Sequence, residues 1–319
     1  MPAWTRAIFT GPRPLATLLC TAILHYNSPV RVSSCGCHFV LSGLLSLLLF
    51  SAICPAQQAP APSGARILLM PRKLVTGERA TLAVLDVAGR LTPDVKIVFS
   101  DSETVTTDTT GRALFVAPLN PGIIQASIQG RAGSVSSTIL APADVPSATQ
   151  AVTLAPHVAS LTDRLELAGH GFCGEADSDH VSIAGFPGLV LASSPASLVV
   201  LPPADLNPGP AQIKVSCGDK AAEPFTVVFV RLELEASEAP LAPGERRTLL
   251  VRVRGSTAKI NLEARNLSPD VSELVGGVTV RTTSTGGADN SAKFELAGKT
   301  HGSFTVSIRL MAPLSTPRP

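Results

Sequence analysis

Beyond residue 65, apolar and polar residues alternate with a period of two over short runs, and turn residues separate the runs. "RATLAVLD" (79–86) and "DVKIVFS" (94–100) are of this kind, and in the second Val95, Ile97 and Phe99 fall on one face. "TTDTTGRALFVAP" (106–118) opens with a turn at Asp108–Gly111 and continues as a strand; "PGIIQASIQG" (121–130) and "SVSSTIL" (134–140) follow. Strands recurring about every ten residues, with turns between them, predict an antiparallel sandwich. No segment carries the charged, wet face that a long amphipathic helix needs.

The pattern continues. "LTDRLELAGHGFCG" (161–174) reads as a strand and a Gly-rich turn, and "HVSIAG" (180–185), "GLVLASS" (188–194) and "ASLVVLPP" (196–203) as three short strands. "NPGPAQIKVSCG" (207–218) and "AEPFTVVFV" (222–230) complete that group. Further strands are expected in "KINLEARNLSPDV" (259–271), "GGVTVRTT" (276–283), "SAKFELAG" (291–298) and "GSFTVSIRL" (302–310). One stretch is written twice: "LVTGERATLAVLD" (74–86) returns as "LAPGERRTLLVRV" (241–253), sharing Leu, Gly-Glu-Arg, Thr-Leu and a Val. The repeat reads as a turn and the polar-out, apolar-in start of an early sandwich strand, needed once per sandwich.

"TTDTTGRALFVAPLNPG" (106–122) resembles the bacterial immunoglobulin-like modules of invasin type, in which a TD-x-x-G-x-A turn leads into a strand. In that turn Asp108 is placed to accept backbone N–H groups and Gly111 to supply an unusual φ. The middle of the chain resembles the IPT/TIG fold through Gly-x-Gly-Phe at 169–172, "LPP" at 201–203 and "PGPAQIKV" at 208–215. It departs at the front, where "SLTDR" (160–164) replaces the family's Pro-x-x-Gly turn. These resemblances imply an all-β chain of three tandem Ig-like antiparallel β-sandwiches, expected to follow the N-terminal signal peptide that the composition of residues 1–56 suggests. The expected bounds are 65–142, 150–231 (IPT/TIG-like) and 232–312, followed by a short disordered tail, 313–319.

The N-terminus differs in composition. Residues 1–56 hold three Arg, no Lys and no acidic residue, and include the uncharged run "FVLSGLLSLLLFSAI" (39–53). That run is shorter than the roughly 20 residues of a comfortable span and suits the core of a secretory signal, with small residues before a cut after Ala56. An uncleaved signal anchor is the alternative. Residues 1–29 are expected to be a misassigned start, because a leader of ordinary length would begin near Val30 or Val32, and 57–64 to be a linker. Cutting after Ala56 leaves 23 basic and 24 acidic residues and removes Trp4 and Tyr26, the only Trp and Tyr. Scattered, balanced charge excludes a nucleic-acid footprint, and the loss of Trp and Tyr disfavours sugar stacking.

Of six Cys only Cys173 and Cys217 then remain. Each follows a strand, and the strand count between them places both at one end of a sandwich, so a disulfide is the expected pairing in an exported chain. Zinc held by His170, Cys173, His180 and Cys217, or a hard cation held by Glu175, Asp177 and Asp179, are rival readings of the same segment. No Gly-x-Ser-x-Gly elbow, His-Glu-x-x-His or phosphate loop is present, so no catalytic residue, cofactor or metal is assigned. Glu233 and Glu235 alternate with Leu232 and Leu234, which is strand patterning rather than a paired acid and base. The expected function is an exported, non-catalytic structural, adhesion or protein-binding module, periplasmic or secreted. It would be a semi-rigid rod with linkers such as "PADVPSA" (142–148), with protein as its partner, no nucleic acid and no stable membrane span after cleavage. Accessory binding domains of an extracellular hydrolase system, or a weak metal-dependent binder, are the alternatives.

Overall fold

A computed structural model describes residues 65–145, 149–235, 241–286 and 289–317. The leader at 1–56 and the linker at 57–64 lie outside the described residues. Within them the regular structure is β throughout, apart from one short 3-10 turn at Pro142–Asp144, and no helix is long and apolar enough to cross a membrane.

The first eight strands are β1 (Ile67–Leu69), β2 (Lys73–Val75), β3 (Arg79–Leu85), β4 (Lys96–Phe99), β5 (Thr104–Thr106), β6 (Arg112–Val116), β7 (Gly122–Ile128) and β8 (Val135–Leu140). One layer pairs β1, β3 and β6 antiparallel; the other runs β2, β8, β7, β4, β5, with β2 parallel to β8. Leu74, Leu82, Ile97 and Phe115 are buried between the layers, and the Phe99 and Phe115 rings meet at 4.9 Å. The strands β1, β2 and β5 have three residues each, too few for a period of two to register in the sequence. The Asp108 turn is built as its residues dictate. Its carboxylate accepts the N–H groups of Thr110 (2.8 Å) and Arg112 (3.2 Å), and the Thr110 hydroxyl bond leads in holding its pKa below the ordinary value. Gly111 sits at φ +78°, where a Cβ would come within 2.5 Å of the Thr92 nitrogen.

The middle group comprises β9 (Ala151–Pro156), β10 (Val158–Ser160), β11 (Leu165–His170), β12 (Asp179–Ile183), β13 (Phe186–Ser194), β14 (Ser197–Leu201), β15 (Gly209–Cys217), β16 (Lys220–Ala221) and β17 (Phe225–Glu235). Here β9, β11, β14 and β13 form one layer and β12, β15, β17 and β10 the other, with β10 parallel to β17. The strand β13 pairs first with β12 and then with β14, so it passes from one layer to the other. Phe172, Leu198, Ile213 and Phe229 fill the space between them.

The last group is β18 (Arg246–Arg254), β19 (Asn261–Asn266), β20 (Ser272–Val275), β21 (Thr279–Arg281), β22 (Thr283–Gly286), β23 (Asp289–Gly298), β24 (Val306–Met311) and β25 (Leu314–Ser315). A third core gathers Leu241, Val251, Leu262, Phe294 and Ile308. The strand β17 crosses the expected boundary at 231/232: Phe225–Phe229 pair with β15, and Arg231–Glu235 pair with β18. Nothing in "FTVVFVRLELE" breaks an extended chain, so the alternation simply continues from one sheet into the next. The tail also differs from expectation. Leu314 and Ser315 pair antiparallel with Pro156 and Ala155 of β9 rather than remaining disordered.

The two GER sites have the same wiring. The N–H of Gly77 donates to the Ala117 carbonyl, that of Glu78 to Val75, and that of Ala117 to Glu78. The N–H of Gly244 donates to Gly298, that of Glu245 to Ala242, and that of Gly298 to Glu245. Both glycines are left-handed, at φ +71° and +79°, and Leu74 and Leu241 anchor the turns as fully buried residues. The strands then diverge. Thr81 on β3 is buried, whereas its counterpart Thr248 on β18 is exposed.

Candidate ligand cleft at the junction of the three cores

Thr81 is buried because the first and second cores pack directly against each other. A β-bridge joins Thr81 to Ser193, and Leu69, Ala83 and Leu85 meet Leu191, Ala192 and Val199 in a separate apolar cluster. The loop 173–179 receives β3. The Thr81 hydroxyl donates to the Gly174 carbonyl (3.0 Å) and accepts the Ala176 N–H (3.1 Å), and Arg79 reaches Glu175 at 2.7 Å. Gly174, at φ +77°, has no room for a Cβ, which would lie 2.3 Å from the Arg79 carbonyl oxygen. The Arg112 guanidinium donates to the Val190 carbonyl (2.7 Å) and pairs with Asp177 (2.9 Å). The expected rod of sandwiches joined by linkers therefore needs correcting, because these cores share side-chain and backbone contacts far from any linker.

The same loop decides the fate of the metal readings. Cys173 and Cys217 are joined by a disulfide with their Cα atoms 5.6 Å apart, which removes both thiolates from any zinc set. Glu175 and Asp177 are engaged by Arg79 and Arg112. Asp179 is buried and accepts the Cys173 N–H (2.9 Å) and the Ser193 hydroxyl (2.5 Å). Burial pushes its carboxyl above the ordinary range, opposed by those two hydrogen bonds. The ring Nδ1 of His170 lies 2.9 Å from the Thr149 carbonyl oxygen, and His180 is exposed on β12. Glu233 and Glu235 form cross-strand ion pairs, each at 2.7 Å, with Arg254 and Arg252.

A feature with ligand-sized dimensions lies elsewhere. A cleft of about 480 Å³ opens where all three cores contribute residues, and the pairing of β25 with β9 lies beside it. Val158, Leu310, Met311 and Leu314 supply apolar wall. Two charged residues of the wall are held by partners: Arg72 pairs with Glu166, and Arg309 pairs with Glu263 through Nε at 2.6 Å. Asp163 and Arg164 are held differently. They leave the turn after β10, in which the Asp163 N–H donates to the Ser160 carbonyl (3.2 Å) and the Thr162 N–H to the Ser160 hydroxyl (3.3 Å). One Asp163 oxygen accepts the backbone N–H of Arg164 at 3.1 Å, and the Arg164 guanidinium makes no hydrogen bond or close ion pair among the described residues. Burial raises the Asp163 carboxyl above its ordinary value and lowers the Arg164 guanidinium below its own.

These residues were not singled out by the sequence as a site. Its one signal was the departure at "SLTDR", the place where Asp163 and Arg164 enter in place of the family's turn. The partners Arg72 and Arg309 come from other parts of the chain with no local motif.

No protein-family model matches the chain, and no curated protein matches it. Among solved structures it is similar to a Bacteroides ovatus mixed-linkage glucan utilization locus protein, SGBP-B, in complex with a mixed-linkage heptasaccharide, with 11% identity over 75% of this chain and 73% of that one and a TM-score of 0.29. It is also similar to the surface layer protein SbsC, domains 1–6, with 15% identity over 77% of this chain and 38% of that one and a TM-score of 0.18. The fibronectin(III)-like modules of Clostridium thermocellum CbhA share 14% identity over 52% of this chain and 93% of theirs, with a TM-score of 0.19.

Proposed function

We propose that this chain is an exported, non-catalytic binding and spacer module of the cell envelope, built of three Ig-like domains at 65–142, 150–231 and 232–312. The middle domain is of IPT/TIG type and the outer two of invasin type. The observation that carries the reading is where the disulfide falls. Cys173 begins the loop whose Gly174, Glu175, Ala176 and Asp177 hold the first core, so the bond to Cys217 fixes the receiving loop. Such a tether persists outside the reducing cytosol and is lost inside it. The assembly is thus suited to a compartment where it stays oxidised. The charged side chains of that loop serve the contact between cores, which favours a scaffold that presents surfaces at fixed spacing. Proximity crosslinking in intact envelopes tests the proposal. It should capture protein partners outside the cytosol; capture of cytosolic partners alone would refute it.

A further inference from the structure

Asp163 and Arg164 are neighbours in sequence, with Cα atoms about 3.8 Å apart, and both line the cleft at the junction of the three cores. From this arrangement we infer that the cleft is a binding site for a small zwitterion, an α-amino acid with an aliphatic side chain. Arg164 takes the α-carboxylate, Asp163 takes the α-ammonium, and Val158, Leu310, Met311 and Leu314 receive the side chain.

Charge accounting within the cleft leads to this class. Arg72 is matched by Glu166 and Arg309 by Glu263, whereas the side chains of Asp163 and Arg164 act on each other only through space and make no side-chain hydrogen bond or close ion pair among the described residues. The two do not hydrogen-bond to each other through their side chains in this structure. A partly desolvated charged group short of hydrogen bonds is costly, and a ligand carrying charge of one sign would satisfy one group and repel the other. A ligand bearing both signs on a single carbon satisfies both groups, which line the same cleft. A guanidinium whose N–H groups make no hydrogen bond among the described residues can donate two of them to one carboxylate, the geometry that makes such contacts strong. The volume, about 480 Å³, falls in the ordinary range for small-molecule pockets and is too small for a folded partner. This site is separate from the protein-partner role proposed above, and either can fail without the other.

Titration of the full chain with L-leucine, followed by calorimetry, tests the inference. Saturable binding is expected. N-acetyl-L-leucine, which lacks the ammonium, and L-leucinamide, which lacks the carboxylate, should each bind at least about tenfold more weakly, a loss of roughly 1.4 kcal/mol. Glycine, without an aliphatic chain, should bind more weakly too. Arg164→Gln should abolish leucine binding in a chain that still shows a cooperative thermal melt; Asp163→Asn should do the same to binding. The analogue series on the unaltered chain gives an answer even if a variant folds poorly. Failure to saturate with L-leucine at about ten times a millimolar Kd overturns the inference, as does equal affinity for N-acetyl-L-leucine or unchanged affinity in Arg164→Gln.

Discussion

Arg112 reaches from β6 in the first core to Asp177 in the second, closing a 2.9 Å ion pair in which its own side chain is 9% exposed and that of Asp177 is 81% exposed. The asymmetry says which contact matters. Asp177 keeps its water when the pair is broken, whereas Arg112 also covers the Val190 carbonyl at 2.7 Å. Arg112→Ala should lower stability by about 1–3 kcal/mol, the cost of a buried carbonyl left without a donor. Asp177→Ala should cost less than Arg112→Ala, because it removes one of the two partners of the guanidinium and leaves the Val190 carbonyl its donor. Urea denaturation of both variants checks the ordering, and equal losses would contradict it.

The duplicated GER turns supply an internal control. Thr81 and Thr248 occupy the same place in the two repeats, yet among the described residues only the Thr81 hydroxyl is used, donating to Gly174 and accepting from Ala176. Thr81→Val should destabilise by about 1–2 kcal/mol, leaving a buried N–H and a carbonyl unpaired. Thr248→Val lies on an exposed strand face and should be neutral within about 0.5 kcal/mol. Thermal melts of the two single variants decide the matter.

Closing a loop with a sequence separation of 44, the Cys173–Cys217 bond should contribute about 4 kcal/mol in the chain-entropy picture. Reduction should therefore lower the melting temperature, as should Cys173→Ser with Cys217→Ser. It should also loosen the 173–179 loop, so limited proteolysis near Glu175 should accelerate in the reduced protein. Unchanged protease resistance after complete reduction would separate the disulfide from the inter-core contact.

Burial holds the Asp163 carboxyl above its ordinary value in the folded chain, with Arg164 and Arg309 opposing and Glu166 adding to the shift. The folded state thus binds this proton more tightly than the unfolded state. The stability contributed by the group is fully present below the ordinary aspartate range, about pH 4, and is lost as pH rises through the folded value. Asp163→Asn removes that loss. The stability of the variant relative to the unaltered chain should increase between about pH 4 and pH 7, as measured by urea denaturation at each pH. A constant or shrinking difference would show that the carboxyl is not held up by its surroundings.

Much of this fold was readable from residue spacing, because a sandwich strand carries its own signature. Val95, Ile97 and Phe99 declare one buried face, Asp108 and Gly111 declare a turn, and the repeated Leu-x-x-Gly-Glu-Arg declares a second copy of one unit. What escaped was set between segments. Ala83, Leu85 and Leu191 read as ordinary strand residues, and nothing local says that the outward side of β3 is covered by another core. The uninterrupted run through Val230 and Arg231 hid the fact that one strand serves two sheets. At the cleft, Asp163 and Arg164 stood out only as a break from an expected turn, since Arg72, Asn261 and Arg309 join them through tertiary folding alone.

Cell fractionation with thiol labelling before and after reduction puts the central claim to its hardest test. An exported, oxidised assembly predicts the chain outside the cytosol, with Cys173 and Cys217 blocked until a reductant is added. Recovery in the cytosol with both thiols labelled at once would contradict it.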